Sequence, residues 1–132
     1  MNEMIVNKSV NMLVNLETIK EIGDEEGRNS RVWLANDTQL NELIVLKGVM
    51  KSSFSESEIN EYFLETQIMN ECKSPNILPV KYAGMDDEYI YMTLPYCKNG
   101  SLKTKCDKES LTLKEVIIYA LEFLNGLLFL HT

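Results

Sequence analysis

Over most of the first hundred positions the apolar residues come in short alternating runs punctuated by turn formers, broken by one helical stretch, and a long helical run follows them. Residues 16–22, 31–35 and 43–50 read as three consecutive strands, with Asn36-Asp37 and Asn41 marking the turn between the second and third. Ser55 followed by Glu58 is a capping-box signature, and Ile59, Phe63, Ile68, Met69 and Cys72 carry a helical period onward, which predicts a helix over 55–72. Ser74-Pro75-Asn76 ends it. Residues 77–82 and 88–94 read as two further strands joined across Met85-Asp86-Asp87. A polar stretch after Asn99-Gly100 leads into a final helix over 113–130.

That order predicts an α+β fold: a five-stranded antiparallel sheet with one packed helix, followed by a long apolar helix. The last helix is apolar on nearly every side. Val116, Ala120, Phe123 and Leu127 form one stripe, and Ile117, Leu121, Leu124 and Leu128 another. A surface helix keeps a polar face, so this one is expected to be covered by residues beyond Thr132 or by a partner chain. A two-layer domain that buries the helix on its own sheet would cover one stripe only.

Composition narrows the function classes. A formal charge of −7 over 132 residues without clustered Lys and Arg argues against a nucleic-acid surface, so any nucleotide is held by local geometry. Cys72, Cys97 and Cys106 are odd in number and lack metal-ligand spacing, which predicts neither a disulfide framework nor a zinc site and suits a reducing, cytoplasmic setting. The first sixteen residues lack the apolar core of a signal peptide, and Glu122 and Asn125 interrupt the apolar tail, so no membrane partner is expected.

Three features carry chemistry. Gly23, Gly27 and Ser30 lie between the first two strands, where small residues can bring backbone N–H groups close to phosphates, although two glycines in a hairpin also serve as plain turn residues. Lys47 falls by alternation on the same strand face as Leu43, Val45 and Val49; it needs an anion there, unless it snorkels to water from an edge strand. Glu65 sits among Tyr62, Ile68 and Met69 on the apolar side of the first helix, where an unpartnered buried carboxylate is costly. Pairing Lys47 with Glu65 resolves both; a helix rotated to solvate Glu65 is the alternative.

Taken in order, the small-residue hairpin, the third-strand lysine, the helix glutamate, the Pro-Asn-Ile turn and the strand running into Tyr96-Cys97-Lys98-Asn99-Gly100-Ser101-Leu102 resemble the protein kinase fold, over residues 16–132 and closest to the serine/threonine kinases. The resemblance implies an N-terminal extension at 1–15, a kinase small lobe at 16–94, a hinge at 95–100 and the start of an incomplete second lobe at 101–132. It implies ATP as ligand, with Mg²⁺ only in a complete domain. Gly23, Gly27 and Ser30 would cover the phosphates, Val32 and Val45 would enclose the adenine, and Leu94 would guard the back of the pocket. Lys47 would hold the α- and β-phosphates and Glu65 would orient it. Pro95 would offer its carbonyl and Cys97 its N–H to the adenine edge, while Met69 and Val80 would join an apolar stack between lobes.

The sequence also departs from the family pattern. Asp24-Glu25-Glu26 puts acid at the loop tip, Ser30 replaces the last glycine, and Val45 stands where alanine is usual, so weak nucleotide binding is expected. No His-Arg-Asp or Asp-Phe-Gly segment occurs in the 132 residues, and His131 is given no catalytic role. The resemblance therefore implies the ATP-binding portion of a kinase domain, not catalytic by itself and completed by a second lobe. The alternative is a standalone small-lobe interaction module or split-kinase partner.

Overall fold

The computed structural model describes residues 8–23 and 29–131. Its strands are β1 (Leu16–Glu21), β2 (Ser30–Asp37), β3 (Glu42–Met50), β4 (Ala83–Met85) and β5 (Tyr89–Pro95); its α-helices are α1 (Glu56–Glu71), α2 (Leu102–Lys108) and α3 (Leu113–His131). The strands form one sheet in the order β1-β2-β3-β5-β4, and every neighbouring pair is antiparallel.

The turn chemistry read from the sequence closes the β2–β3 hairpin. Asp37, only 3% exposed, accepts hydrogen bonds at Oδ1 from the Gln39 and Leu40 N–H groups, and Asn41 takes the left-handed conformation at φ 53° that asparagine tolerates. The second carboxylate oxygen of Asp37 accepts from the Tyr82 hydroxyl at 3.2 Å, which ties this hairpin to the segment before β4. Upstream, the Gln39 side-chain amide accepts from Asn15 N–H and donates to the Leu13 carbonyl, holding the segment before β1 against the same turn. In β1 the pairing with β2 slips between Thr18 and Lys20, leaving Ile19 as a bulge.

Alternation along β3 divides the core between two faces. Ile44 and Leu46 pack with Ala35 on one face, flanked by Leu16, Trp33 and Tyr91. The rings of Trp33 and Tyr89 meet edge to face at 5.8 Å, and Tyr89 and Tyr91 lie 5.7 Å apart. Gly48 makes this cluster possible: a Cβ there would lie 2.9 Å from Trp33 Cζ3 and 3.0 Å from Tyr91 Cε1. Arg31 closes the outer side, stacked over Trp33 at 5.2 Å and paired with Glu21 at 2.7 Å. The opposite face buries Leu34, Ile90 and Met92.

Two elements differ from expectation. The fourth strand, expected over 77–82, begins only at Ala83. The chain at 81–82 still bonds to β5, but Thr93 Oγ1 accepts from Tyr82 N–H and donates back to the Tyr82 carbonyl, so a side chain occupies the place of regular ladder bonds. Pro79 further removes a donor from the expected run. The polar stretch after Gly100 contains α2, started by Ser101, whose hydroxyl accepts from Thr104 N–H.

The helix starts are strongly marked. Ser55 and Glu58 form the reciprocal capping box of α1, while Thr112 and Glu115 make the same exchange ahead of α3. Lys105 of α2 pairs with Glu115 at 3.0 Å and joins the two last helices. Covering of α3 is slight: Gly126 is its buried residue, and side chains such as Phe123, Leu121 and Leu128 are exposed.

Two outcomes follow. Gly48→Ala overpacks the Trp33 and Tyr91 rings and should cost about 1–3 kcal/mol, measured by chemical denaturation. The carboxyl groups of Glu58 and Glu115 are held below their ordinary value of 4.5, chiefly by the backbone N–H groups of Ser55 and Thr112. Because the folded values are depressed, the capping contribution is full above that ordinary value and is lost as pH falls through the folded ones. Helical circular dichroism should therefore decline on acidification below about pH 4.5, the ordinary carboxyl value, and Glu58→Gln with Glu115→Gln should flatten that decline.

Candidate nucleotide site

The face of the sheet opposite the Trp33 cluster brings together several residues singled out in the sequence. Register places Val32 beside Lys47, and Val45 beside Leu94, with Met92 on the other side of Lys47. Among the described residues, Lys47 is the one charged side chain that β2, β3 and β5 put on this face. Val32, Val45, Lys47 and Leu94 are all half-buried, leaving an apolar floor with a cation set into it. Sequence reasoning missed Met92 as the neighbour of Lys47, although alternation along β5 carries that signal.

Gly23 borders this floor. Its φ of 100° is a conformation that glycine adopts without strain, and an added Cβ would touch Val32 Cβ at 3.8 Å. The Ile22 N–H donates to the Val32 carbonyl at 2.8 Å, fixing where the hairpin closes. Ser30 is half-buried opposite Val49. Gly27 lies outside the described residues.

At the far end, Pro95 closes β5 opposite Ile44 and is half-buried. The exposed Cys97 accepts at its carbonyl from Gly100 N–H, in a turn that Gly100 completes at φ 77°. The Cys97 N–H makes no hydrogen bond to the described residues and remains available as a donor. Val80 is buried and lies across a cleft from α1, on which Met69 is half-buried.

Glu65 does not join Lys47. It is exposed, and no ion pair connects the two among the described residues. The expectation of a buried carboxylate is corrected by the rotation of α1: its buried residue is Thr66, one position on and about 100° around the axis. Thr66 Oγ1 returns a hydrogen bond to the Tyr62 carbonyl at 2.9 Å, and Phe63, Thr66, Gln67 and Asn70 face Val80 to Ala83 across a cleft of about 180 Å³. The Glu65 charge is felt instead by Tyr62, whose phenol is pushed up first by burial and then by that carboxylate. The Tyr62 hydroxyl is buried with no hydrogen-bond partner among the described residues, a feature with no signal in the sequence.

The sequence pattern of the protein kinase domain matches residues 16–132, the span that contains this floor and the sheet around it. The chain belongs to the protein kinase domain family. It is 27% identical over 120 residues to serine/threonine-protein kinase 1 of Arabidopsis thaliana, covering 88% of this chain and 14% of the relative. It is 30% identical to cyclin-dependent kinase G1 of the same plant, covering all of this chain and 22% of the relative. With serine/threonine-protein kinase PknD of Chlamydia trachomatis it shares 32% identity over 107 residues, 80% of this chain and 11% of the relative. The chain thus spans about a fifth or less of the length of these relatives.

A kinase domain implies ATP and Mg²⁺ in general. The described residues suit the organic part and the phosphates of such a ligand: an apolar floor for a flat ring, one cation beside it and one free backbone donor. Among the described residues no group of three or more His, Cys, Asp or Glu converges on a point, so they form no all-protein metal cage. No described helix is long and apolar enough to cross a membrane.

One substitution tests the packing of α1 directly. Tyr62→Phe removes a buried hydroxyl that has no partner, and should leave stability unchanged or raise it by about 1 kcal/mol in thermal denaturation, whereas losing a made hydrogen bond would lower it.

Proposed function

We propose that residues 16–94 act as the ATP-binding small lobe of a serine/threonine protein kinase domain, residues 95–100 as its hinge and 101–132 as the beginning of its second lobe. The observation that carries this reading is the register of β2, β3 and β5, which lines up Val32, Val45 and Leu94 with Lys47 on one face. Val32 and Val45 would enclose the adenine and Leu94 would close the back of the site. The Cys97 N–H would donate to the adenine edge and the Pro95 carbonyl would accept from it. Gly23, Gly27 and Ser30 would let backbone N–H groups approach the phosphates.

Lys47 would balance the charge of the α- and β-phosphates, worth most where the sheet excludes water. Glu65 would orient Lys47 only after α1 rotates inward, since the two are not paired here. In complete kinase domains the bound metal neutralises charge developing on the phosphoryl oxygens during transfer to a serine or threonine hydroxyl. No His-Arg-Asp or Asp-Phe-Gly segment occurs among these 132 residues, so they would contribute nucleotide binding rather than that step. Three free cysteines fit a cytoplasmic setting.

A second reading, a small-lobe module that binds a protein or the complementary lobe, is favoured by the exposure of Leu113, Phe123 and Leu128 on α3. Titrating a fluorescent ATP analogue against the wild type and Lys47→Ala separates the two. Nucleotide function predicts weak binding that drops at least about tenfold in the variant, the order of one charged contact. Equal affinities would remove Lys47 from the site, and absence of binding in both proteins favours the module.

A further inference from the structure

Lysine is sparse along most of this acidic chain, but Lys98, Lys103, Lys105 and Lys108 fall within eleven residues that hold a single acid, Asp107. Three of the four lie on α2. A helix brings positions i, i+3, i+4 and i+7 onto one face, and in α2 with its cap these are Ser101, Thr104, Lys105 and Lys108. That face, the Asn99-Gly100 turn and Tyr119 of α3 line an open hollow of about 630 Å³, the size of a site for a sizeable ligand.

The two lysines in the hollow stand in different situations. Lys105 is held: its ammonium pairs with Glu115 at 3.0 Å and with Glu109 at 3.5 Å, and it lies 6.0 Å over the Tyr119 ring. Lys108, further along the same face, has no ion pair among the described residues, and neither has the exposed Lys98. Glu109 also borders the hollow, but its carboxylate is committed to Lys105. The charge that no partner balances there is therefore that of Lys108.

The occupant that fits is an extended acidic peptide. One small anion would leave most of the hollow empty and Lys98 unmet. A nucleic-acid backbone needs a denser run of cations than one interleaved with Asp107, Glu109 and Glu115. An extended chain advances about 3.3 Å per residue, so it can set one carboxylate at Lys108 and another further along at Lys98, while Asn99 and Thr104 offer polar groups to its backbone.

We propose that the hollow between α2 and α3 docks an acidic protein segment, with Lys108 as its anchoring cation, Lys98 as a second and Lys105 as part of its wall. The site is separate from Lys47 and goes beyond the nucleotide reading without depending on it.

Fluorescence anisotropy of the 132-residue chain with a labelled decapeptide of alternating glutamate and glycine, and with its glutamine counterpart, tests the proposal. The acidic peptide should bind at least about tenfold more tightly than the neutral one, by a margin that shrinks as salt rises. Lys108→Glu should weaken its binding roughly tenfold and Lys98→Glu by less, whereas Lys20→Glu, an exposed site on β1, should change it by under about twofold. Lys47→Ala should leave peptide binding intact even where it abolishes nucleotide binding, so failure of this site and failure of the nucleotide reading are told apart. Absence of peptide binding, equal binding of the two peptides, equal weakening by Lys20→Glu or loss in Lys47→Ala overturns the proposal. So does competition on equal terms by an oligonucleotide of the same charge. Should Lys108→Glu fail to fold, amide chemical shifts of the unaltered chain give a second reading. Peptide-induced shifts concentrated at residues 98–109 and Tyr119 support the docking site, and shifts concentrated elsewhere overturn it.

Discussion

Strand β3 is paired on both sides, and its two-residue alternation governs everything around it. Ile44, Leu46 and Gly48 point to the aromatic face, and Val45, Lys47 and Val49 to the other. A slip of one residue would exchange these sets, driving Lys47 under the Trp33 ring and moving Ile44 out of its buried place beside Ala35. Gly48 guards against that slip, because any side chain in its place crowds the Trp33 and Tyr91 rings. Core packing and the candidate site are thus opposite sides of one constraint: the contact that fixes the register also places Lys47 between Val32 and Met92.

Much of this was legible in the sequence because it is local. Strand alternation, the Asn41 turn and the Ser55–Glu58 capping box each depend on residues within a few positions of one another, and each appears where it was read. The Lys47 face was legible for the same reason. What escaped depends on partners distant in the chain. The late start of β4 follows from a Thr93 side chain entering the ladder, which no reading of residues 77–82 reveals. Glu65 was placed on the wrong side of α1 because that helix has no strong apolar stripe, and a rotation of one position is decided by Thr66 and Phe63 meeting the segment before β4. The α2 signal was present in Ser101, but a helix of seven residues gives periodicity little to work with.

The helices differ from the sheet in what holds them. Tight ring packing and paired backbone secure β2, β3 and β5, whereas α1 buries Thr66 alone and is marked chiefly by the capping box at its start. A lightly packed helix can turn without disturbing the strand that carries Lys47, because the cost of rotation falls on few buried contacts.

The Ile19 bulge has a consequence of another kind. An open sheet offers two rows of unsatisfied backbone groups, through which a chain can recruit strands from its neighbours and aggregate. Here one border, β1, is broken by the extra residue at Ile19, and the other, β4, is three residues long. Neither supplies the straight, continuous row that strand recruitment needs. Fibre-like growth through the backbone is thereby disfavoured at both borders of the sheet.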